Sequence, residues 1–367
     1  MSKSRTRVAT VGVALSALVL AGCGGDEESS ATEALAECET TKEATIVLGT
    51  PDLDVSYLPY GLLADELGYF AGECLDITVE ASGSALPSLL STGKADFLTM
   101  TPETITMASD SEPMGISFVH NFMPSLNIFL AVPEDSPIKD PGDLKGATIG
   151  VSNANPLYDA FITESFKEYG LTLDDVDQIE TSYGVTPMKA LETGEVDAIL
   201  YWPGILTSWE QAGYHLRWLE ADWSEAYDGF GLVAATTTVE KDPELIEGVS
   251  RALAKSAVYL QRYPESAVRI FWEMFPERAP LPGGDEDEKL AEDLAILDST
   301  LVSMKADEYP EDHTWGIQTL ERWTGQVAYA KEGGLITGDP DPTQFFYADH
   351  IEAANDFDRA DIEEVKK

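Results

Sequence analysis

Positive charge is scarce in this chain: 23 Lys and Arg stand against 66 Asp and Glu in 367 residues, a formal net charge of −43. So acidic a body repels phosphate backbones and anionic lipid surfaces, which excludes nucleic acid as a partner. Histidine is also scarce. His120, His215, His313 and His350 are scattered without ligand spacing, so no metal site is expected. The catalytic signatures Gly-x-Ser-x-Gly and His-Glu-x-x-His and the Walker-type loop are missing. His120 follows a strand-like run and is placed to border a cleft, but no nucleophile accompanies it. Neither catalysis nor a cofactor is expected. Long apolar runs are lacking too, the nearest being residues 8–20, which are too short to span a bilayer.

That short run has a function of its own. Lys3, Arg5 and Arg7 precede it, and Leu20-Ala21-Gly22-Cys23 closes it, the layout of a secretory signal over residues 1–22. Cysteine directly after Leu-Ala-Gly resembles the bacterial lipobox. The resemblance implies that Cys23 is lipidated and that the chain is exported and anchored to the outer face of the cytoplasmic membrane. An ordinary signal peptide is the alternative. Removing the signal leaves 20 basic against 66 acidic residues, spread along the chain as a solvated surface would be. With Cys23 lipidated, Cys38 and Cys74 remain, either as one disulfide or as two free thiols.

Residues 23–43 are polar and acidic and read as a flexible tether. Strand and helix signals then alternate, with strands expected at 45–49, 75–80 and 95–99 and helices at 85–90 and 102–108. This rhythm indicates βαβ units and a largely parallel sheet. Beyond residue 243 the pattern becomes helical, over 243–262, 264–275, 286–305 and 313–331, where Trp272, Trp315 and Trp323 read as core.

An internal repeat divides the α/β part. Leu90-Ser-Thr-Gly93-Lys-Ala-Asp96 recurs as Leu191-Glu-Thr-Gly194-Glu-Val-Asp197, at an offset of 101 residues. At the same offset Gly49 matches Gly150, Tyr57 matches Tyr158, Gly83 matches Gly184 and Pro102 matches Pro203. Asp96 and Asp197 read as structural. A unit this long is no solenoid repeat and fits two similar α/β lobes facing one another.

In open α/β sheets, ligands bind beyond the carboxyl ends of the strands. Here the corresponding loops hold Tyr57, Tyr60, Tyr158, Tyr183, Tyr201 and Trp202, with Ser82, Ser84, Thr101, Asn153 and Asn155 among them. They contain no lysine or arginine, and Asp52, Asp54, Glu103 and Asp159 lie within or beside them. A neutral or cationic, flat ligand suits such loops better than an inorganic anion. Tyr60 and Tyr158 are equally readable as packing residues, and Trp202 as core.

The run Leu62-Leu-Ala-Asp-Glu-Leu-Gly68-Tyr-Phe70 before Leu75-Asp-Ile-Thr-Val79, and Ser136-Pro-Ile-Lys-Asp-Pro-Gly-Asp-Leu-Lys-Gly146 before Ile149-Gly-Val151, resemble the substrate-binding proteins for nitrate, sulfonates, taurine and thiamine precursors. The resemblance implies an α/β, type II periplasmic-binding-protein fold: two lobes, a hinge of two crossover strands and extra C-terminal helices. Lobe one is then 44–129 plus 233–350, lobe two 130–232, and 351–367 a charged tail. Carried over residue by residue, the pocket positions fall on Tyr57, Ser82, Thr101, Asn127, Asn153, Tyr183 and Trp202, with Asp228 on the second crossing and Tyr158 beside them. The implied function is capture of a small organic ligand by a monomer and delivery to an ABC permease and its ATPase. The acidic and aromatic content of the loops moves the preference to a thiamine-precursor-like pyrimidine or other nitrogenous organic molecule over a sulfonate, taurine or nitrate. The alternatives are an enzyme of menaquinone or thiamine-precursor biosynthesis on the same fold, or a ligand-sensing lipoprotein.

Overall fold

The computed structural model describes residues 34–36, 38–50, 52–82, 87–219, 221–310 and 312–365. The signal, Cys23, Gly83 and Ser84 lie outside them. Among the described residues no helix is long and apolar enough to cross a membrane.

Ten strands form two five-stranded sheets. The first contains β1 (Lys42–Leu48), β2 (Leu75–Ala81), β3 (Phe97–Met100), β4 (Ile116–Met123) and β10 (Phe230–Ala235), in the order β2-β1-β3-β10-β4. The second contains β5 (Phe129–Pro133), β6 (Thr148–Val151), β7 (Asp177–Glu180), β8 (Ala198–Tyr201) and β9 (Leu216–Trp218), in the order β7-β6-β8-β5-β9. In each, four strands point the same way and one is inserted antiparallel between two of them. That antiparallel strand, β10 or β5, is the one that arrives from the other lobe.

The repeated motif forms the same corner twice. Gly93 and Gly194 take the left-handed conformation, at φ 64° and 68°, which costs glycine little. Asp96 then donates its N–H to the Thr45 carbonyl, and its carboxylate accepts from the Thr45 N–H at 2.8 Å. Asp197 and Thr148 repeat both bonds, the second again at 2.8 Å. The reciprocal pair satisfies both backbone groups of Thr45 and Thr148.

The helices of seven or more residues are α1 (Pro102–Ala108), α2 (Pro156–Phe166), α3 (Thr186–Thr193), α4 (Pro203–Gln211), α5 (Pro243–Arg262), α6 (Pro264–Met274), α7 (Glu286–Ser303) and α8 (Leu320–Glu332). Six of these eight carry proline in the first turn, where its missing N–H has no intrahelical partner to lose. Helix α5 buries Leu245, Ile246, Val249, Ala252 and Leu253 in the first-lobe core.

The last two helices bridge the lobes. Helix α7 puts Leu290, Leu297 and Leu301 into the first-lobe core, while Gln211 on α4 donates to its Glu292 carbonyl at 2.7 Å. Helix α8 places Trp323, Val327 and Ala330 in a first-lobe cluster and Tyr329 in the second-lobe core.

Several expectations need correction. Phe129 already pairs with Tyr201, and 230–232 pair within the first sheet, so the lobe boundaries move a few residues toward the crossings. A strand belongs to the sheet that takes its ladder bonds. Strand β1 starts at Lys42, inside the expected tether, where Lys42 Nζ meets Asp242 at 2.6 Å. Cys38 and Cys74 are joined by a disulfide that ties the segment before β1 to the entry of β2. Residues 351–365 are no free tail: Ile351, Ala354 and Ile362 are buried, and the Val365 carbonyl accepts from Ser266. The helix expected over 313–331 begins only after its cap, Thr319. Before it, Gly316, at φ 83°, packs so closely on the His120 ring that a Cβ would come within 2.4 Å. His120 is therefore buried under this segment and does not border the cleft.

Candidate functional site

Between the lobes lie two contiguous cavities that share Asn127, Trp202 and Phe230. The inner chamber, about 250 Å³, is lined by Thr101 and Glu103 from the first lobe and by Asn155, Leu157, Tyr158 and Trp202 from the second. The crossings add Leu126, Ile128 and Gly229, and α8 adds Tyr329. The outer chamber, about 210 Å³, is lined by Ser56, Tyr57 and Tyr60, by Pro203 and Gly204 at the start of α4, and by Ser299, Thr300 and Ser303 of α7.

Local sequence explains these positions. Thr101, Asn155 and Trp202 are the caps that precede Pro102, Pro156 and Pro203, so each stands where a strand or loop turns into a helix beside the cleft. The Thr101 and Asn155 side chains accept from Thr104 N and Leu157 N. The Tyr158 and Ser152 hydroxyls lie 2.7 Å apart, and burial raises the Tyr158 phenol. Burial likewise raises Tyr57. The Oδ1 atom of Asn127 is buried and has no partner, leaving an acceptor free between the two chambers.

Among the described residues no lysine, arginine or histidine lines either chamber. Of the acids expected near the cleft, only Glu103 lines it. Asp52 is paired with Arg278, Asp54 caps Ser56 N, and Asp159 accepts from Gln178. Desolvation raises Glu103 to about 7, partly opposed by hydrogen bonds from its own backbone, Gln326 and Thr101. A buried carboxyl of that kind stays largely protonated in mildly acidic solution.

The three serine hydroxyls face the outer chamber as acceptors. Ser299 donates its proton to the Ile296 carbonyl at 2.7 Å, and Ser303 donates to the Ser299 carbonyl at 2.9 Å. Ser56 Oγ is held by Asp54. What remains for a ligand is their lone pairs, which suit N–H donors.

Of the positions expected from the sequence, Tyr57, Thr101, Asn127, Tyr158 and Trp202 converge on the cleft. Tyr183 is half exposed and meets the Trp202 ring at a centroid distance of 5.9 Å, outside both linings. Ser82, at the end of β2, and the exposed Asn153 line neither chamber; Asn155 takes the place expected for Asn153. Asp228 is buried behind the hinge, where Arg322 Nε donates to it at 2.6 Å and Asn121 at 2.9 Å. Arg322 also donates to the Pro124 and Glu225 carbonyls, so one guanidinium fastens both crossings. Tyr329, Ser299 and Ser303 had no signal in sequence reading, since they reach the cleft by long-range docking of α7 and α8.

Two α/β lobes with matching strand orders, joined by two crossings, define a protein of the periplasmic-binding-protein fold. A sulfonate-binding protein, SsuA, from Escherichia coli superposes with a TM-score of 0.62 at 16% identity, covering 84% of this chain and 92% of that one. The alkanesulfonate-binding SsuA from Xanthomonas axonopodis pv. citri, bound to MOPS, gives 0.61 at 15% identity over 85% and 100%. DSZB in complex with biphenyl-2-sulfinic acid gives 0.51 at 13% identity over 85% and 98%. At such identities the likeness shows the fold alone. No match was found among curated proteins. The family model described as NMT1/THI5 like matches residues 59–267, and the chain belongs to that family.

Proposed function

We propose that the protein is the extracytoplasmic solute-binding component of an ABC importer. It captures a small nitrogenous organic molecule, with a thiamine-precursor-like pyrimidine preferred over a sulfonate, taurine or nitrate. The observation that carries this reading is the chamber lining, which among the described residues holds aromatic rings, amides, hydroxyls and one carboxyl but no cationic side chain. A sulfonate buried there would have to exchange its hydration for amide and hydroxyl donors alone, with a carboxyl in the same chamber. A flat, N–H-bearing ring finds Trp202 and Tyr158 for packing and Asn127 for a hydrogen bond.

The lipobox-like Leu20-to-Cys23 stretch supports export and membrane anchoring, and an anchor there would keep capture near a permease. Binding without turnover is the reading preferred to an enzyme on the same fold. A thermal-shift screen of the mature protein tests the cargo: pyrimidines and amines should raise Tm, whereas nitrate and taurine should not. Stabilisation by sulfonates or nitrate alone would overturn the preference. Mass spectrometry of the membrane fraction, expected to find diacylglyceryl-modified Cys23, tests the anchor.

A further inference from the structure

Among the described residues Glu103 is the one carboxyl lining the cleft, and it sits in the first turn of α1 at 5% exposure. Gln326 on α8 donates its Nε2 to Glu103 Oε1 at 2.8 Å. The other amide atom of Gln326, Oε1, is buried and has no partner. A carboxamide can serve either state of its neighbour, donating through its NH2 to a carboxylate or accepting through its oxygen from a carboxylic acid. The pair is therefore built to hold Glu103 with or without its proton.

The surroundings do not fix that proton. Tyr329 and Gln326 face Glu103 from α8, Tyr158 shares its chamber from α2, and Asp228 acts on it from the second crossing. The Asp228 charge is already paired with Arg322 of α8. Among the described residues no cation lines the chamber to hold Glu103 ionised.

We propose that Glu103 is the specificity-determining residue of the cleft, reading the N–C–N edge of an amidine-type or aminopyrimidine cargo through two parallel hydrogen bonds. This rests on the proposed nitrogenous cargo and names its recognition element. Protonated Glu103 donates to a ring nitrogen while accepting from the adjacent amine of a neutral aminopyrimidine. Ionised Glu103 accepts both N–H groups of an amidinium cation. In either complex each of the two hydrogen bonds carries one proton, so a neutral cargo meets neutral Glu103 and a cationic cargo meets the carboxylate.

Opposite pH profiles follow for two probes, because free Glu103 titrates near 7. Affinity for neutral 4-aminopyrimidine should fall about tenfold per pH unit above that point, as the acid form is lost. Affinity for benzamidinium should fall by a similar factor per unit below it. Calorimetric titration of the mature protein with each probe between about pH 5.5 and 8.5 reads both profiles. E103Q should flatten them and weaken benzamidine by about 10–100-fold, the value of a charged hydrogen-bonded contact. E103D, which keeps a carboxyl, should keep the opposed slopes at lower affinity, and serves if E103Q folds poorly. Two probes that bind wild type with flat or same-sign profiles, or an E103Q that retains the opposed slopes, would overturn the role of Glu103 and leave a nitrogenous cargo standing. Binding of taurine with neither probe bound would overturn both.

Discussion

In the first lobe Asp96 joins β3 to β1, and in the second Asp197 joins β8 to β6 through the same two bonds. Strand order, left-handed glycine and helix-capping proline repeat as well. The cleft linings do not repeat. The first lobe supplies Thr101, Glu103 and Tyr57; the second supplies Asn155, Tyr158 and Trp202. Helices α7 and α8, packed chiefly on the first lobe, then close both ends with hydroxyls and Tyr329. A shared framework thus positions loops, and the differences between those loops set the ligand chemistry.

The comparison breaks most readily in the first lobe, which carries the larger core. Trp323→Ala removes a fully buried ring stacked on Phe345, and unfolding in urea should show a loss of about 3–5 kcal/mol. Acid should act on the same side. Burial holds His120 at about 3 and His350 at about 4, both below the unfolded value of 6.5. As pH falls below about 6.5 the unfolded chain takes up protons that the fold refuses, so each histidine removes about 1.4 kcal/mol per unit. Glu103 has the opposite sign: its contribution is full below about 4.5 and is lost as pH rises through about 7. Two histidines outweigh one glutamate between those limits. Hydrogen exchange at about pH 5 should therefore show β4 and its C-terminal partners loosening before the second sheet.

Smaller effects sharpen the contrast. Trp202→Ala strips the wall common to both chambers and should weaken cargo binding by about 1–3 kcal/mol with little change in Tm. Asp96→Ala should cost about 1–2 kcal/mol of stability, while Asp197→Ala, at a more exposed corner, should cost less. Tyr183→Ala, outside both linings, should shift affinity by less than about 1 kcal/mol.

Much of the framework was legible because its signals are local. The Asp242-Pro243 start announces α5, and the repeat at 101 residues announces two lobes. Tyr57, Thr101, Tyr158 and Trp202 were legible for the same reason, as residues of strand-to-helix loops. Asp228 was not, because its partner Arg322 comes from α8, 94 residues further on. Glu103 was visible as one of four acids within or beside the cleft loops, and nothing nearby in the chain separates it from Asp52, Asp54 and Asp159. Its distinction arises when α8 covers it.

The most direct test is a pair of calorimetric titrations of the mature protein at about pH 6.5, with 4-aminopyrimidine and with taurine. A Kd for aminopyrimidine at least about tenfold tighter than for taurine is the predicted result. Tighter binding of taurine would contradict the account, because the cleft would then hold a sulfonate group without a cationic side chain to meet it.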